Sequence, residues 1–466
     1  MTANGKSFSR LLCYYGDDFT GSTDVLEALS GMGIKAALFL EPPDEELLNG
    51  KFRGLEAFGI AGIGRSLAPD EAERELRPLF EALKQADAAV VHYKVCSTFD
   101  SSPDTGNIGK AAEIGRSVFG SAYVPVLAGV PYLGRYTLFG NHFAAAADGA
   151  VHRLDRHPTM SRHPVTPMIE ADLRRVLAEQ SGLRTSLMDI LALNGSPAEV
   201  SSRLQRLLSQ EEPGLVLFDV LDEERLGAAG RLIWEEAMRR GSTLFAVGSS
   251  GIEYALGACW REEGRLQREE AYGEAAIAPA ERLLAVSGSC SPVTREQIRT
   301  ALAAGFAGIR VPAAELLSPE TAASARDAIL AEAAGLLNEG RSVLLYSAEG
   351  PDDPGIAEFR AALAAGGYSA GDSSRLLGGI LGSLARSLVL ETGVTRLLVA
   401  GGDTSGYVTR GLGIYGMECM AALAPGAPIC RAFSHEPKLE GLELVLKGGQ
   451  VGGTDFFLRV KEGGLA

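Results

Sequence analysis

Short apolar runs of strand length alternate with amphipathic segments of helix length along almost the whole chain, and this alternation limits its folding choices most strongly. Strands that are apolar throughout need cover on both faces, and helices returned between them supply it. The pattern predicts an α/β fold with largely parallel sheets. The first expected strands are Leu11–Gly16, Lys35–Leu40, Glu56–Ile63, Ala88–Val95, Ala122–Gly129, Arg184–Ile190, Gly214–Val220 and Thr243–Gly248. Helical patterns fall at Pro69–Gln85, Ala171–Glu179, Pro197–Ser209 and Glu223–Arg240. A charge-dense stretch, Trp260–Arg282, ends in Ala and Pro, and its second half is expected to be a linker. Beyond it the alternation restarts, with strands at Arg282–Val286, Gly308–Val311, Ser342–Ser347, Arg396–Ala400, Ile429–Ala432 and Leu442–Leu446. Long helices are expected there at Ala322–Leu337 and Leu376–Thr392. Two α/β domains follow, 1–275 and 280–466, expected to face each other across a cleft, a common ligand site. No sequence repeat relates them.

Composition removes several classes of function. The 44 basic and 59 acidic residues leave a net charge of −15, and a nucleic-acid binder would need a basic face to neutralise phosphates. Hydrophobic content of 46% with 22% charged residues is that of a globular chain rather than a disordered one. No apolar run reaches the roughly 18 residues of a membrane span, and the N-terminus lacks the pattern of a secretory signal. The six cysteines are scattered and form no CxxC pair. Reduced, mostly buried thiols in a cytoplasmic protein are expected, and no metal-ligating set such as a zinc site.

In α/β sheets, ligands bind beyond the carboxyl ends of strands, so polar and glycine-rich segments just after strands are the candidate sites. The first is Tyr14–Asp24, with Asp17, Asp18, Thr20, Gly21 and Asp24. Carboxylates there can accept a hydroxyl's hydrogen bond, hold Mg²⁺ or act as a general base; a helix cap would need only one acid. The second, His92–Gly109, delivers Lys94, Ser97, Thr98, Asp100, Ser101 and Ser102. Its lysine suits a carboxylate or phosphate; a solvated Ser-rich loop is the plainer alternative. The third, His152–Pro164, gathers His152, Arg153, Arg156, His157, Arg162 and His163 against Asp155 alone. Such groups would hold a small anionic substrate, unless they are a surface loop balanced by acidic neighbours.

The later strands end differently. In Ala285–Ile298, Ser287, Ser289 and Ser291 precede Pro292 at a helix start, where exposed N–H groups favour phosphate. In Leu397–Gly413 the strand ends in Gly401-Gly402-Asp403-Thr404. Paired glycines admit a phosphate closely, and Asp403 suits Mg²⁺. In Leu444–Phe457, Lys447 is followed by Gly448, Gly449, Gly452 and Gly453, suited to nucleotide phosphates or to a hairpin-like turn. Two motif matches carry little weight. Gly59–Ser66 nearly makes a P-loop but has Arg65 where Lys is required, and the GxGxxG of Gly411–Gly416 falls at a helix end rather than after a strand. The first domain thus suits a polyhydroxylated anion and the second suits phosphates, which points to phosphoryl transfer to a sugar acid.

The same residues resemble the four-carbon acid sugar kinase family. Its opening Asp-Asp-x-Thr-Gly-Ala-x-Asp reads here Asp17-Asp18-Phe19-Thr20-Gly21-Ser22-Thr23-Asp24. Further likenesses are His163-Pro164-Val165-Thr166-Pro167-Met168, Ser287-Gly288-Ser289-Cys290-Ser291-Pro292, Gly401-Gly402-Asp403-Thr404 and Lys447-Gly448-Gly449, in order across the chain. The resemblance implies an acid-sugar-binding domain at 1–275 and an ATP-binding domain at 280–466. It also implies transfer from MgATP to a terminal hydroxyl of a tetronate or 3-oxo-tetronate. Nucleotide contacts would come from Ser287–Ser291, Gly401–Thr404 and Gly448–Gly449. One departure stands out. Many members carry Lys-x-Asp-Ser-Thr-x-Arg-Gly, but here Lys94-Val95-Cys96-Ser97-Thr98-Phe99-Asp100-Ser101 keeps only Lys94, Ser97 and Thr98. This points to a different acid, such as the branched 3-oxo-isoapionate.

In the expected mechanism Asp18 or Asp17 orients or deprotonates the acceptor hydroxyl, and Lys94 and Arg162 bind its carboxylate. Thr20, Asp24, Ser97, Thr98 and His163 line the acid-sugar site. The partners are the sugar acid and ATP, with no nucleic acid or membrane, and self-association into a homo-oligomer is left open. A non-catalytic sugar-acid sensor and an NAD-linked dehydrogenase are the rival readings. The sequence leaves the exact acid, its stereochemistry, the phosphorylated carbon and the identity of the base undecided.

Overall fold

A computed structural model of the protein describes residues 8–146, 148–163, 165–266 and 277–463. The chain divides into two units, one of Met1–Ala36 with Pro42–Glu270, the other of Ala37–Glu41 with Ala271–Ala466. Its strands, in chain order, are β1 (Arg10–Gly16), β2 (Ala36–Phe39), β3 (Ala57–Ala61), β4 (Ala88–Lys94), β5 (Val124–Leu127), β6 (Arg135–Leu138), β7 (Asn141–Ala145), β8 (Val151–Arg153), β9 (Thr185–Met188), β10 (Leu215–Phe218) and β11 (Leu244–Gly248). Then come β12 (Leu284–Ser287), β13 (Ala307–Arg310), β14 (Val343–Tyr346), β15 (Arg396–Ala400), β16 (Ile414–Ala424), β17 (Ala427–Ser434) and β18 (Glu443–Lys447).

The first unit holds a parallel sheet in the order β3-β1-β4-β11-β5-β10-β9. From β1 the chain returns to β3 on one side, and from β4 it goes on to β5 on the other. The loops after β1 and β4 therefore diverge and leave a crevice between them, the place where open α/β sheets bind ligands. In the second unit β13-β14-β12-β15-β18 are parallel, and β17 and β16 continue antiparallel. Here the chain leaves β12 toward β13 and leaves β15 toward β18, so a second divergence opens between β12 and β15.

The strands expected from apolar runs are present with slightly different ends, and the helices Pro69–Gln85 and Glu223–Arg240 start and end as expected. Three features differ from the sequence reading. Leu38 of β2 pairs with Met417 of β16, so the segment Ala37–Glu41 belongs to the second unit rather than to the first domain. β6, β7 and β8 form a separate antiparallel sheet, and its hairpin turns at Phe139 (φ 51°) and Gly140 (φ 82°). Paired positive φ values mark the turn type that suits a two-residue hairpin loop, but Phe-Gly is an unusual sequence for it. β16 was not expected, because its alternation of buried and half-buried residues is irregular. The expected linker lies partly outside the described residues. Among the described residues no helix is long and apolar enough to cross a membrane.

Candidate functional site

The loop after β1 is shaped by Asp18, which caps the helix Phe19–Gly31 by accepting the Gly21 N–H at 2.7 Å. The carboxylate's other oxygen accepts from the Thr20 hydroxyl at 3.2 Å and lies 3.0 Å from Arg65. Asp17 beside it is 3% exposed, and its Oδ1 has no hydrogen-bond partner, with Arg65 3.5 Å away. Burial pushes the Asp17 carboxyl up to about 7, against the pull of Arg65. A proton affinity near neutral pH is what a general base needs.

β4 delivers Lys94 to the same place. Its ammonium is buried and lies 3.6 Å from Asp24. A side chain at Gly21 would come within 2.3 Å of Asp18 Oδ1 and 3.0 Å of this ammonium, so it would displace one or both. Burial works against the lysine's charge, yet Asp24 and Asp18 hold its proton affinity above the usual lysine range. In the loop beyond, Cys96 Sγ lies 3.1 Å from the Thr98 hydroxyl, which donates to Asp100 at 2.5 Å. Burial raises Asp100's proton affinity, but Arg65 and Thr98 outweigh it and hold the carboxyl below its usual range. Burial keeps the Cys96 thiol protonated by raising it to about 11. The loop is pinned from behind by His142. Burial drops this imidazole to about 4, so it is neutral; Nε2–H donates to the Ser97 carbonyl at 2.8 Å and Nδ1 accepts from Thr137 at 3.0 Å.

Asp17, Asp18, Thr20, Asp24, Lys94, Ser97 and Thr98 thus gather at one crevice. The Arg/His stretch does not join it as a block. Arg153 is paired with Asp155, and His157 accepts the N–H groups of Thr159 and Met160. His163 accepts the Thr166 N–H and lies within electrostatic reach of Asp100. Arg162 is exposed; Pro164 lies outside the described residues. The residue the sequence reading passed over is Arg65. It was weighed only as a failed P-loop lysine, although its place in the loop after β3, next to β1, would have flagged it.

In the second unit three loops converge. Ser291 caps the helix Pro292–Ala303 and its hydroxyl donates to the Gly449 carbonyl. Thr294 donates to the same carbonyl at 3.0 Å and accepts from Ser289 at 3.0 Å and from the Lys447 ammonium at 3.1 Å. Gln297 donates to the carbonyls of Val451, Gly452 and Gly453. With the Gly449 carbonyl turned to this helix, a trans peptide turns the following N–H away from it. Gly401 has φ 128°, and a methyl group there would lie 2.7 Å from Thr404 Oγ1; one on Gly288 would lie 2.4 Å from the same atom. One on Gly449 would lie 3.0 Å from Ser289 Oγ. The glycine backbone of this cradle therefore lies close against the Thr404 and Ser289 side chains, leaving no room for a Cβ.

The cradle fits an anion on its own chemistry. Lys447 is fully buried, and Ser287 is buried with an unpartnered hydroxyl. Asp403 is exposed at the start of the helix Gly402–Leu412 and accepts from Ser374 at 2.8 Å. Beside Gly288 and Thr404 opens a cavity of about 210 Å³ lined by Ala348, Ile356, Phe359 and Leu377, with Ser347 and Arg360 at its polar part. Its lining is about equally polar and apolar, with Ser373, Ser374 and Thr404 also at its wall, so it can offer both stacking and hydrogen bonds to a heterocycle. The sequence reading missed this slot, whose signal was the end of β14 at Tyr346 followed by a Gly/Pro-rich loop. Among the described residues no group of three or more His, Cys, Asp or Glu is placed to hold a metal.

Residues 12–256 match the model of a sugar-binding N-terminal domain, and residues 284–457 that of a nucleotide-binding C-terminal domain. The chain is 46% identical to a 3-oxo-isoapionate kinase of Paraburkholderia graminis, across 98% of this chain and 95% of the relative. It is 32% identical to a 3-oxo-tetronate kinase of Methylobacterium radiotolerans, across 95% of this chain and 96% of the relative. Among solved structures, a Salmonella typhimurium protein described as a putative tRNA synthase superposes with a TM-score of 0.76 at 27% identity, across 97% of this chain and 98% of that one. A Haemophilus influenzae protein shares the fold, with a TM-score of 0.71 at 24% identity, across 96% of this chain and 99% of that one.

Proposed function

The chain belongs to the four-carbon acid sugar kinase family, and from that premise we propose that it transfers the γ-phosphoryl group of ATP to a terminal hydroxyl of a 3-oxo sugar acid. The branched 3-oxo-isoapionate is the first choice of acceptor and a 3-oxo-tetronate the second. The observation that carries the reading is 46% identity to a 3-oxo-isoapionate kinase over 98% of the chain. The loop Cys96–Asp100 supports the branched acid, since it departs from the commoner acid-Ser-Thr-x-Arg-Gly pattern at the crevice itself.

Phosphoryl transfer through a loose transition state needs positioning and charge neutralisation more than covalent chemistry. Asp18 is held by Gly21, Thr20 and Arg65, so it suits orienting the acceptor hydroxyl. Asp17, with a free oxygen and a proton affinity near neutrality, suits taking the hydroxyl proton. Lys94 and Arg65 supply the positive charge that a sugar-acid carboxylate needs among these acids, with His163 at the margin. The N–H groups of Ser289–Ser291, Gly401–Thr404 and the loop from Gly448 would hold the phosphates, and the slot at Phe359 the base. Mg²⁺ typically takes one or two carboxylates and completes its shell with phosphate oxygens and water. Asp403 beside Thr404 fits that role, and the ion would supply charge neutralisation on the phosphates. An enzyme drawing on the ATP pool acts in the cytoplasm.

The test is ADP release by purified protein with MgATP and a panel of 3-oxo-isoapionate, 3-oxo-tetronates, threonate and erythronate. A phosphorylated product, read by mass spectrometry, is expected with 3-oxo-isoapionate first. ATP binding without turnover on any acid would defeat the acceptor assignment.

A further inference from the structure

Lys447 ends β18 with its side chain buried under the glycine loop that it begins. Its ammonium donates to Thr294 Oγ1 at 3.1 Å, and Thr294 in turn donates to the Gly449 carbonyl at 3.0 Å. Three donors on a lysine ammonium thus meet one hydroxyl. A charge so placed is costly without an anion nearby.

The charged groups on the surrounding elements are engaged elsewhere. Arg295, on the helix Pro292–Ala303, reaches Glu296 and Asp352. Asp403, on the helix Gly402–Leu412, is exposed and bound by Ser374. Arg396 and Glu443 pair with each other at the opposite ends of β15 and β18. Arg431 on β17 is exposed. Burial alone acts on Lys447, lowering it to about 7. The nearest anion it can acquire is therefore a ligand's phosphate seated on Gly448–Gly449.

We propose that nucleotide binding draws a proton from solution onto the amine of Lys447, which is buried against one hydroxyl and no anion until the phosphate arrives. This rests on the nucleotide-site reading above and deepens it. The amine gains an N–H bond, the buffer loses the proton, and the new ammonium faces the phosphate charge. Lys447 then acts in two ways: through Thr294 it positions the Gly449 carbonyl, and its ammonium answers the phosphate charge. Nucleotide affinity then falls with rising pH, by up to about tenfold per pH unit above 7, as proton linkage requires.

The experiment is calorimetric titration of the full chain with MgADP, in pairs of buffers of different ionisation enthalpy, at pH 6, 7, 8 and 9. Uptake should rise from about 0.1 proton at pH 6 to about 0.9 at pH 8, the fractions set by a midpoint near 7. K447M should bind MgADP more weakly with no pH-dependent uptake. K447R, which stays charged, should bind without uptake and with an affinity flat across the range. Binding without uptake in the wild type overturns this inference alone, as does uptake that persists in K447M. Absence of any MgADP binding overturns the nucleotide-site reading and this inference with it. If neither variant folds, absence of uptake in the wild type still overturns the inference.

Discussion

Replacing Asp17 by Asn separates a catalytic cost from a stability gain. The Asp17 carboxyl moves from 3.8 to about 7, which corresponds to about 4 kcal/mol at about 1.4 kcal/mol per tenfold change in proton affinity. Below pH about 4 both the folded and unfolded chains hold this carboxyl protonated, and the penalty vanishes. As pH rises the unfolded chain ionises first, so stability falls until the folded group ionises near pH 7. D17N removes the titration, and Arg65 keeps Asp18 at 3.0 Å as a partner. In thermal melts from pH 5 to 8 the wild type should lose melting temperature relative to D17N. At roughly 2–4 °C per kcal/mol for a domain of this size, the gap at pH 8 is on the order of 10 °C. Turnover of D17N should fall at least about 100-fold, the usual cost of losing a general base. Parallel pH curves for the two proteins would show that Asp17 does not carry the buried proton. Near-normal turnover would show that it does not take the hydroxyl's.

Other residues give further tests. Gly401→Ala forces a side chain into φ 128° and to 2.7 Å from Thr404 Oγ1; isothermal titration should show MgATP binding weakened more than about tenfold, with sugar-acid binding unchanged. Cys290 is an exposed thiol beside the cradle, so its rate of maleimide labelling at pH 8 should drop when MgADP is added and should not respond to the sugar acid alone. His142→Leu removes the donor that holds the Ser97 carbonyl. It should raise the KM for the acid several-fold with a smaller change in kcat, and leave the Kd for MgADP unaltered.

The fold was legible where one physical cause dominates. Runs such as Leu397–Ala400 are buried on both faces, so hydropathy alone marks them, and Asp222 and Ser196 cap the helices that follow them. It was not legible where cause and residue are far apart. Nothing in the composition of Ala37–Glu41 says that its backbone pairs with β16, nearly four hundred residues later. The hairpin at Phe139–Gly140 is fixed by Asp219, which accepts both N–H groups from the end of β10. The candidate site was legible as a set of strand ends and less so as roles. Asp17 and Asp18 are adjacent and chemically alike in the sequence. Only burial and the capping bond separate a buried carboxyl with a free oxygen from one fully engaged by the loop. Arg65 matches no motif, and only the pairing of β3 with β1 brings it to Asp17 and Asp18.

The two crevices handle charge in opposite ways. The protein carries a net charge of −15, yet both expected substrates are anions. At physiological salt that net charge is screened beyond about 8 Å, so what the ligands meet is the local set. At the first crevice Lys94 and Arg65 are set among Asp17, Asp18, Asp24 and Asp100. Carboxylates are needed there to orient a hydroxyl and to take its proton, and a proton affinity near neutrality lets Asp17 do the second. At the second crevice, burial alone acts on Lys447, so backbone N–H groups and one amine can answer the phosphates. An acceptor site must both attract an anion and move a proton, which needs opposed charges in contact. A phosphate cradle must only attract, and its amine can be left without a counter-charge until the ligand brings one.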